Sequence, residues 1–372
     1  MVAVRWHVVT SFAAFLLALG WAFLPSAGST GETLTSHARL LGHLVGWLPP
    51  LRDGKYGRHP TPARRPSNGT ITEVQGFVSP EEFRSKYLWK DPVVFRGAAT
   101  RDWGFDLECL TGNGSVVETL ARDMGDQKFR IFQDQYDDAS ADFLSFHRYM
   151  DLAKAAAADP SKPVPYPRAF PQQALGRCAP VPEAMMKTYH SWIGRLFQRL
   201  EDASSVVFMS LNEGSNTKMH FDVGNSLFTQ VHGRKRWLFV DPQYAAQLQV
   251  YADRLNLVYI AGYDVHNEPL PSEVPIREVI LHPGDVLYFA PMTFHAVYNL
   301  DPVTIGVDNP SGDPVGALYR HWMFALATML NPWVPIKALM IKLRTGSVTG
   351  TDIYFDGFSS HAKRKTEQVV DS

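Results

Sequence analysis

The sequence predicts an α+β fold in which helices flank an antiparallel β-sandwich or jelly-roll barrel. From Val206 onward, about eight short apolar runs alternate with turn residues, a spacing typical of such barrels. Earlier in the chain, Ser79-Pro-Glu-Glu carries the capping residue, the proline and the acidic first turn that begin a helix. Apolar residues at helical spacing predict further helices over residues 145–158 and 182–200.

The composition is that of an ordinary globular protein. The chain has 372 residues, of which 45% are hydrophobic and 20% charged, and its formal net charge is -1. This length suits one large domain or two smaller ones. The lack of a basic excess argues against a nucleic-acid partner, and the lack of long like-charge blocks argues against a charged disordered tail.

Changes of texture along the chain predict six segments. They are a signal peptide or N-terminal membrane anchor (1–27), a linker (28–70), a helical and mixed part that packs on the core (71–205), the β-rich core (206–312), C-terminal helices (313–344) and a polar tail (345–372). The prolines and arginines between residues 49 and 66 indicate that the linker is extended.

The N-terminus has the parts of a secretory signal. Arg5 precedes an uncharged apolar run at residues 8–24, and small residues follow the run. The run is longer than most signal cores and close to the shortest membrane span, so it predicts either a cleaved signal or a retained single-pass membrane anchor. In both cases we expect the folded part in the secretory pathway, in the ER or Golgi lumen or secreted. Sequons at Asn68 and Asn113 agree with this expectation.

Two features leave alternatives open. Cys109 and Cys178 are the two cysteines of the chain, and they would form one disulfide in an oxidising compartment or stay free and buried. Near the C-terminus, apolar side chains at helical spacing over residues 318–329 and 336–343 predict two helices. These helices would pack on the barrel, form a homodimer surface or contact a membrane surface.

A His-x-Asp pair, His220 and Asp222, is the first candidate for chemistry. It lies in a segment with strand texture, residues 220–231, and residues i and i+2 of a strand point to the same face. An imidazole and a carboxylate on one face can bind one metal ion. A second match, His266 and Glu268, falls in a predicted loop, and we set it aside as a chance occurrence.

His295 is the expected third ligand. A tight turn and a strand at residues 281–291 lead to this histidine, which an antiparallel barrel can return to the mouth where His220 lies. Two histidines and one carboxylate leave the opposite face of a metal open. Non-haem Fe(II) oxygenases use this arrangement because the open positions admit a co-substrate and O2. Catalytic zinc sites use similar ligands with one open position.

Three separated motifs resemble the JmjC (cupin-like) branch of the 2-oxoglutarate-dependent oxygenases. They are Gly214-Ser-Asn-Thr-Lys-Met-His-Phe-Asp222, Gln230-Val-His-Gly-Arg-Lys-Arg-Trp-Leu-Phe-Val-Asp-Pro242 and Pro283-Gly-Asp-Val-Leu-Tyr-Phe-Ala-Pro291, the last leading to His295. The resemblance implies a double-stranded β-helix core with Fe(II) held by His220, Asp222 and His295. It also implies that Thr217 and Lys235 bind the far carboxylate of 2-oxoglutarate, the co-substrate.

The resemblance implies a function as well. A member of this family would use Fe(II), 2-oxoglutarate and O2 to hydroxylate a C–H bond, and we expect the target to be a side chain of a protein or peptide substrate. The stretch at residues 243–275 and the N-terminal helices are expected to set the substrate. The alternative is a non-catalytic, cupin-like metal-binding or scaffold protein that keeps the metal site without turnover.

The chain departs from the family pattern at two places. Ser226 stands near the expected co-substrate, and Val307-Asp-Asn-Pro stands where the family frequently has Val-Asn-Phe-Trp. Contacts from these positions are therefore left open. We expect Phe228 to wall the pocket, and Arg234 and Arg236 to be surface charges.

Overall fold

The structure is a computed structural model that describes most of the chain between residues 69 and 321. The described residues are 69–109, 116–133, 141–167, 170–171, 206–222, 224–245, 247–252, 259–266, 268, 270–272, 274–312, 316–321 and 343. The predicted signal or anchor, nearly all of the predicted linker, the helix predicted at 182–200 and the polar tail lie outside them. Asn68, Asn113 and Cys178 also lie outside them.

Two seven-stranded sheets form the core. The first contains, in spatial order, β1 (Gly69–Thr70), β14 (Arg277–Leu281), β11 (Lys235–Val240), β16 (Phe294–Asn299), β9 (His220–Phe221), β13 (Tyr259–Ile260) and β12 (Tyr251–Ala252). The second contains β2 (Thr72–Gln75), β3 (Val93–Arg96), β15 (Val286–Phe289), β10 (Gly224–His232), β17 (Thr304–Gly312), β8 (Val206–Ser210) and β7 (Phe170–Pro171). Neighbouring strands are antiparallel except β1 with β14 and β2 with β3, which are parallel.

A buried aromatic layer joins the two sheets. Trp237 and Phe239 of the first sheet belong to one cluster with Phe228 and Phe289 of the second. The ring centroids of Phe228 and Trp237 are 4.7 Å apart. Side chains at alternate positions of both sheets therefore meet in the interior. Two packed and mainly antiparallel sheets of this kind are consistent with the predicted jelly-roll core.

Four helices precede β8 in the described part: α1 (Pro80–Lys86), α2 (Ala98–Asp102), α3 (Val116–Met124) and α4 (Phe146–Ala158). The side chain of Ser79 accepts a hydrogen bond from Glu82 N at the start of α1, and Ser145 accepts one from Arg148 N at the start of α4. A third sheet lies in the same part of the chain and consists of β5 (Ala141–Ser145), β4 (Lys128–Phe132) and β6 (Tyr166–Pro167).

These helices cover the outer face of the second sheet. Phe83 of α1 and Tyr149 of α4 share a buried cluster with Leu227 of β10 and Tyr288 of β15. Leu227 precedes Phe228 and so points to the opposite face of its strand. The second sheet is therefore buried on both faces, by the aromatic layer on one side and by the helices on the other.

The segment predicted as one strand, residues 220–231, forms two strands in different sheets. β9 ends at Phe221 in the first sheet, and β10 begins at Gly224 in the second. Asp222 lies on the connection between them. The prediction that His220 and Asp222 share one strand face is therefore wrong, because the chain crosses from sheet to sheet at this point.

β17 is longer than the sequence predicts. It begins at Thr304, continues through Asn309-Pro, a pair of residues typical of turns, and ends at Gly312. It pairs with β10 over this length, but its described pairing with β8 ends at Asp308. Pro310 therefore has no described partner on the side of β8, and an edge of this kind is where a strand tolerates proline.

The stretch at residues 243–275 extends the first sheet. Its strand β13 pairs with β9 through Tyr259 opposite Phe221 and Ile260 opposite His220. Its strand β12 in turn pairs with β13. The stretch expected to set the substrate thus lies directly beside the strand of His220.

Three further predictions concern the C-terminal helices, the cysteines and a membrane-spanning helix. Residues 316–321 are helical, whereas most of the other predicted C-terminal helical residues lie outside the described part. Cys109 is disulfide-bonded, which agrees with one of the two alternatives for the cysteines. No helix within the described ranges is long and apolar enough to cross a membrane.

Candidate metal centre

His220, Asp222 and His295 come together in the structure. His220 and His295 are directly opposite each other on β9 and β16, and their ring centroids are 4.3 Å apart. Asp222 Oδ2 lies 3.9 Å from His295 Nε2. One potential ligand atom of each residue lies within 4.8 Å of the other two, and among the described residues this is the one group of three or more that could hold a metal ion.

One turn between β15 and β16 fixes two of these residues. The Met292 N–H donates a hydrogen bond of 2.9 Å to Asp222 O, and Thr293 O lies 3.0 Å from His295 Nδ1. Met292 has a left-handed backbone, with φ of 63°, and its side chain is buried. A methionine pays a steric cost in this conformation. The strained turn thus sets the spacing of Asp222 and His295.

Backbone carbonyl oxygens bind the same ring nitrogen, Nδ1, in both histidines. His220 Nδ1 lies 2.7 Å from Lys218 O, and His295 Nδ1 lies 3.0 Å from Thr293 O. A carbonyl oxygen only accepts hydrogen bonds, so Nδ1 of each ring carries a proton and Nε2 is the nitrogen left to face a metal. Metal-binding histidines are commonly oriented in this way.

The charge state of the group also suits a metal. Burial, and after it the neighbouring His220, holds the pKa of His295 well below its ordinary value. His295 is therefore a neutral ligand at physiological pH. His295 is buried, while His220 and Asp222 are partly exposed, so one side of the group is accessible. Two imidazoles and a carboxylate fit a divalent transition-metal ion such as Fe(II).

Lys235 is buried in the aromatic layer. It is 1% exposed, its Nζ donates to Phe208 O at 3.2 Å, and Nζ lies 5.3 Å from the centroid of the Phe228 ring. Burial lowers the pKa of the amine to about 7. Phe228 thus lies beside the amine, while its place in the wall of a co-substrate pocket stays a prediction. An anion beside Nζ would favour the charged amine.

Trp237 connects the lysine to the metal ligands. It follows Lys235 by two residues on β11, so both side chains point into the barrel. The Trp237 ring contacts Phe228 at 4.7 Å and stacks on His295 at 5.8 Å between centroids. The sequence motif contains Trp237 but gives it no role. Alternation along β11 from Lys235 was the signal that could have found it.

Thr217 is fixed to β16 by two hydrogen bonds. Its N–H donates to Val297 O, and its Oγ1 accepts from Val297 N, both at 2.9 Å. The hydroxyl proton is thus left to donate. No hydrogen bond joins Thr217 to Lys235 in the part of the chain that the structure describes. The three metal ligands are therefore in closer contact with one another than Thr217 is with Lys235.

Asp308 is a further, partly buried carboxylate. Its Oδ1 accepts a hydrogen bond from the Ser226 hydroxyl, so the two departures from the family pattern contact each other. Burial raises the pKa of Asp308 to about 7; the Ser226 hydrogen bond lowers it, and the charge of Asp222 raises it further.

The two arginines that flank Lys235 differ in their surroundings. Arg234 is exposed and pairs with Asp301 at 2.7 Å, as expected for a surface charge. Arg236 is 8% exposed and pairs with Glu278 of β14 at 2.7 Å. The prediction of a surface charge is wrong for Arg236, because the neighbouring strand supplies a partner and covers it.

Comparison with known families gives the same class of fold. Residues 79–309, well over half of the chain, match the model of the cupin-like domain. The chain therefore belongs to the cupin-like domain family, as its motifs predict.

Individual relatives match over a shorter stretch. The chain is 32% identical over 95 residues to tRNA wybutosine-synthesizing protein 5 of Danio rerio, which covers 26% of this chain and 29% of that protein. The Homo sapiens protein of the same name is 32% identical over 101 residues, or 27% and 32% of the two chains. HSPB1-associated protein 1 homolog of Danio rerio is 32% identical over 104 residues, or 26% and 23%. The chain thus spans less than a third of each of these relatives.

Proposed function

We propose that this protein is an Fe(II)- and 2-oxoglutarate-dependent dioxygenase of the hydroxylase type with a double-stranded β-helix core. The observation that carries the proposal is the convergence of His220, Asp222 and His295, with Nδ1 of each histidine placed against a backbone carbonyl oxygen. The burial of Lys235 in the same interior and the membership of the cupin-like family support it.

His220 Nε2, His295 Nε2 and a carboxylate oxygen of Asp222 would hold the iron. Three ligands on one face leave room for a co-substrate and for O2. When bound, Fe(II) supplies the redox chemistry that couples conversion of 2-oxoglutarate and O2 to succinate and CO2 with hydroxylation of a C–H bond. The aromatic layer around His295, formed by Trp237 and Phe289 among others, would keep bulk water from that side of the site.

Lys235 and Thr217 would bind the far carboxylate of 2-oxoglutarate. A carboxylate beside Lys235 Nζ raises the pKa of the amine again, so that a charged pair forms in dry surroundings. Thr217 keeps its hydroxyl proton for a second hydrogen bond, because its oxygen already accepts from Val297 N. Together they would favour a dicarboxylate over a monocarboxylate of similar size.

The substrate is proposed to be a protein or peptide side chain. The formal net charge of -1 supports this over a nucleic acid, whose phosphates call for a basic surface. The name of one relative describes association with the protein HSPB1, which is in keeping with a protein partner. Strands β12 and β13 lie beside His220 and are the proposed site of substrate recognition.

The enzyme is proposed to act in the secretory pathway. The apolar run at residues 8–24 and the disulfide bond at Cys109 support this, because disulfides persist in oxidising compartments. Retention as a membrane anchor and a homodimer through the C-terminal helices remain predictions. N-terminal sequencing of the mature protein tests the first, and light scattering of the purified protein tests the second.

An anaerobic titration tests the catalytic proposal. Purified protein receives Fe(II) and then 2-oxoglutarate, and we expect a metal-to-ligand charge-transfer band in the visible range. The band should be lost in His220→Ala and should need much more 2-oxoglutarate in Lys235→Met. Absence of the band in the wild type, or an unchanged band in His220→Ala, would contradict the proposal.

Exposure to O2 separates the enzyme from the alternative of a non-catalytic metal-binding or scaffold protein. An enzyme converts 2-oxoglutarate to succinate, if slowly, even without its substrate. Stoichiometric metal in the wild type with no succinate, in the presence of candidate peptides, would favour the alternative. Comparing protein hydroxylation in cells with and without the gene then identifies the substrate.

A further inference from the structure

The stretch at 259–266, here called the edge segment, follows the outer edge of the strand that carries His220. Tyr259 and Ile260 pair with Phe221 and His220. Beyond this pair, Ala261 N donates to Met219 O at 2.9 Å. The contacts continue to Thr217, whose carbonyl oxygen lies 3.0 Å from His266 Nε2. The edge segment is thus bonded to the backbone from the first metal ligand back to the threonine of the proposed carboxylate clamp.

His266 is held rigidly in this position. It is 2% exposed, and its N–H donates to Asp264 Oδ1 at 3.1 Å. A further bond of 2.7 Å from Glu268 N to Asp264 O closes the turn. The ring centroid lies 5.8 Å from that of Tyr298 on β16. Because the carbonyl of Thr217 can only accept, His266 Nε2 carries a proton and donates the hydrogen bond. The direction of this hydrogen bond is fixed because the ring itself is held in place.

Thr217 is fixed from two sides as a result. Val297 of β16 binds its N–H and its hydroxyl oxygen, and His266 binds its carbonyl oxygen. The bonds from Val297 belong to the barrel, whereas the bond from His266 comes from the stretch inserted at 243–275. Removal of the His266 donor would leave the carbonyl side of this peptide without its protein partner and free to rotate.

We infer that His266 is a positioning residue for the co-substrate: it orients the Thr217 hydroxyl toward the far carboxylate of 2-oxoglutarate by fixing the Thr217 carbonyl. This inference rests on the proposed function. His266 is not one of the three residues that could hold the metal, so its loss should weaken binding of 2-oxoglutarate while the affinity for the metal is kept. Small displacements of a positioned hydrogen bond are sufficient for such an effect.

Three variants test the inference. His266→Leu removes the donor, His266→Gln keeps an N–H donor of similar reach, and Val265→Ala removes buried apolar volume from the same segment without touching Thr217. Val265 belongs to the neighbouring apolar cluster with Met219 and Phe221, so this control reports a loss of packing alone. His266→Asn, whose shorter amide does not reach, replaces His266→Leu if the leucine variant does not fold.

The measurements are the dissociation constants of Mn(II) and of 2-oxoglutarate by calorimetry, and hydrogen exchange of the metal-free protein. We expect His266→Leu to weaken 2-oxoglutarate binding about fivefold to tenfold, with Mn(II) binding changed by less than about twofold. His266→Gln should recover most of the loss. Amides at 217–221 should exchange faster in metal-free His266→Leu than in the wild type. Val265→Ala should lower the melting temperature yet leave 2-oxoglutarate binding unchanged.

Two results would overturn the inference while leaving the proposed function standing. One is unchanged 2-oxoglutarate binding in a folded His266→Leu, and the other is an equal loss in Val265→Ala, which would mark a general effect of stability. Failure of the wild type to bind 2-oxoglutarate would instead overturn both, since the inference depends on that co-substrate.

Discussion

The ring of Phe228 lies so close to Gly306 on the neighbouring strand that a β-carbon on the glycine would overlap it. The same ring lies beneath Lys235 Nζ and against Trp237. Gly306 is therefore required for the close approach of an aromatic wall to the backbone, and the shape of the lysine pocket depends on it.

Gly306→Ala should displace this wall. Because the added methyl group has to push the Phe228 ring, we expect a loss of about 1–3 kcal/mol in the free energy of unfolding. Binding of 2-oxoglutarate should weaken at least about tenfold, since the ring would move toward Lys235 Nζ. Denaturant unfolding and calorimetry measure the two effects. The double variant Gly306→Ala/Phe228→Leu should recover part of the stability, and no recovery would contradict this explanation.

Lys235→Met should stabilise the metal-free protein while impairing its proposed function. Burial lowers the pKa of Lys235 to about 7, below its value in the unfolded chain. The folded state then loses stability as pH falls through 10 toward 7, because the unfolded chain binds the proton more readily. The gain from methionine should be largest at pH 6, about 2 kcal/mol, and should fade above pH 10.

Thermal unfolding across this pH range measures the effect. Lys154→Met on the exposed face of α4 is the matched control and should show no such trend. A Lys235→Met protein that is less stable than the wild type at pH 6 would argue against an uncompensated buried amine. Lys235→Arg should not restore 2-oxoglutarate binding, because a planar guanidinium does not fit the place of a compact ammonium.

Asp308→Asn should stabilise the metal-free protein at alkaline pH. The pKa of Asp308 is raised to about 7 by burial, so the folded state binds a proton more readily than the unfolded chain between about pH 4 and pH 7. The wild type therefore loses stability as pH rises through that window. Asparagine has no charge to bury and can still accept from Ser226, so its melting temperature should exceed that of the wild type at pH 8 and match it at pH 4.

Asp301→Asn supplies a control with the opposite sign. The hydrogen bond from Arg234 lowers the pKa of Asp301, so this carboxylate stabilises the fold at neutral pH and the contribution is lost as pH falls through its folded pKa. The asparagine variant should be slightly less stable than the wild type at pH 7 and equal to it in acid. Parallel trends in the two variants would contradict the assignments.

Metal binding should raise the melting temperature only when the three ligands are intact. Mn(II) at 100 times its dissociation constant stabilises a protein by about 2.7 kcal/mol through binding to the folded state. We expect this increase in the wild type and in His282→Ala, whose imidazole is exposed and outside the metal group. It should disappear in His295→Ala. An equal increase in all three proteins would place the metal elsewhere.

Local patterns in the sequence predict much of the fold. Ser79 and Ser145 mark the starts of α1 and α4 because capping is a matter of a few adjacent residues. Gly233, with φ of 64°, forms the turn into β11, because glycine tolerates that conformation. In contrast, the crossing between sheets at Asp222 was missed, since a short strand and a connection between strands can have the same pattern of apolar and polar residues.

Residues of the candidate site could be predicted where a sequence motif contains them. Contacts could not be predicted where a distant strand supplies the hydrogen-bond or ion-pair partner. His220, Asp222 and His295 were found by residue type and order. The partner of Arg236 comes from β14 and that of Ser226 from β17, and no local pattern specifies either. His266 was set aside as a chance match, and its bond to Thr217, which spans 49 residues, could not be inferred from spacing.

The left-handed turn at Met292 indicates that the ligand geometry forms during folding, before a metal ion binds. The Met292 side chain is packed in a cluster with Met219, Phe221 and Phe294, the residues that flank two of the ligand histidines. Apolar packing, formed when the chain folds, thus balances the cost of the strained backbone and holds Asp222 O and His295 in place. The ligand geometry is therefore preorganised by folding, and an arriving ion would bind with little rearrangement of the chain around it.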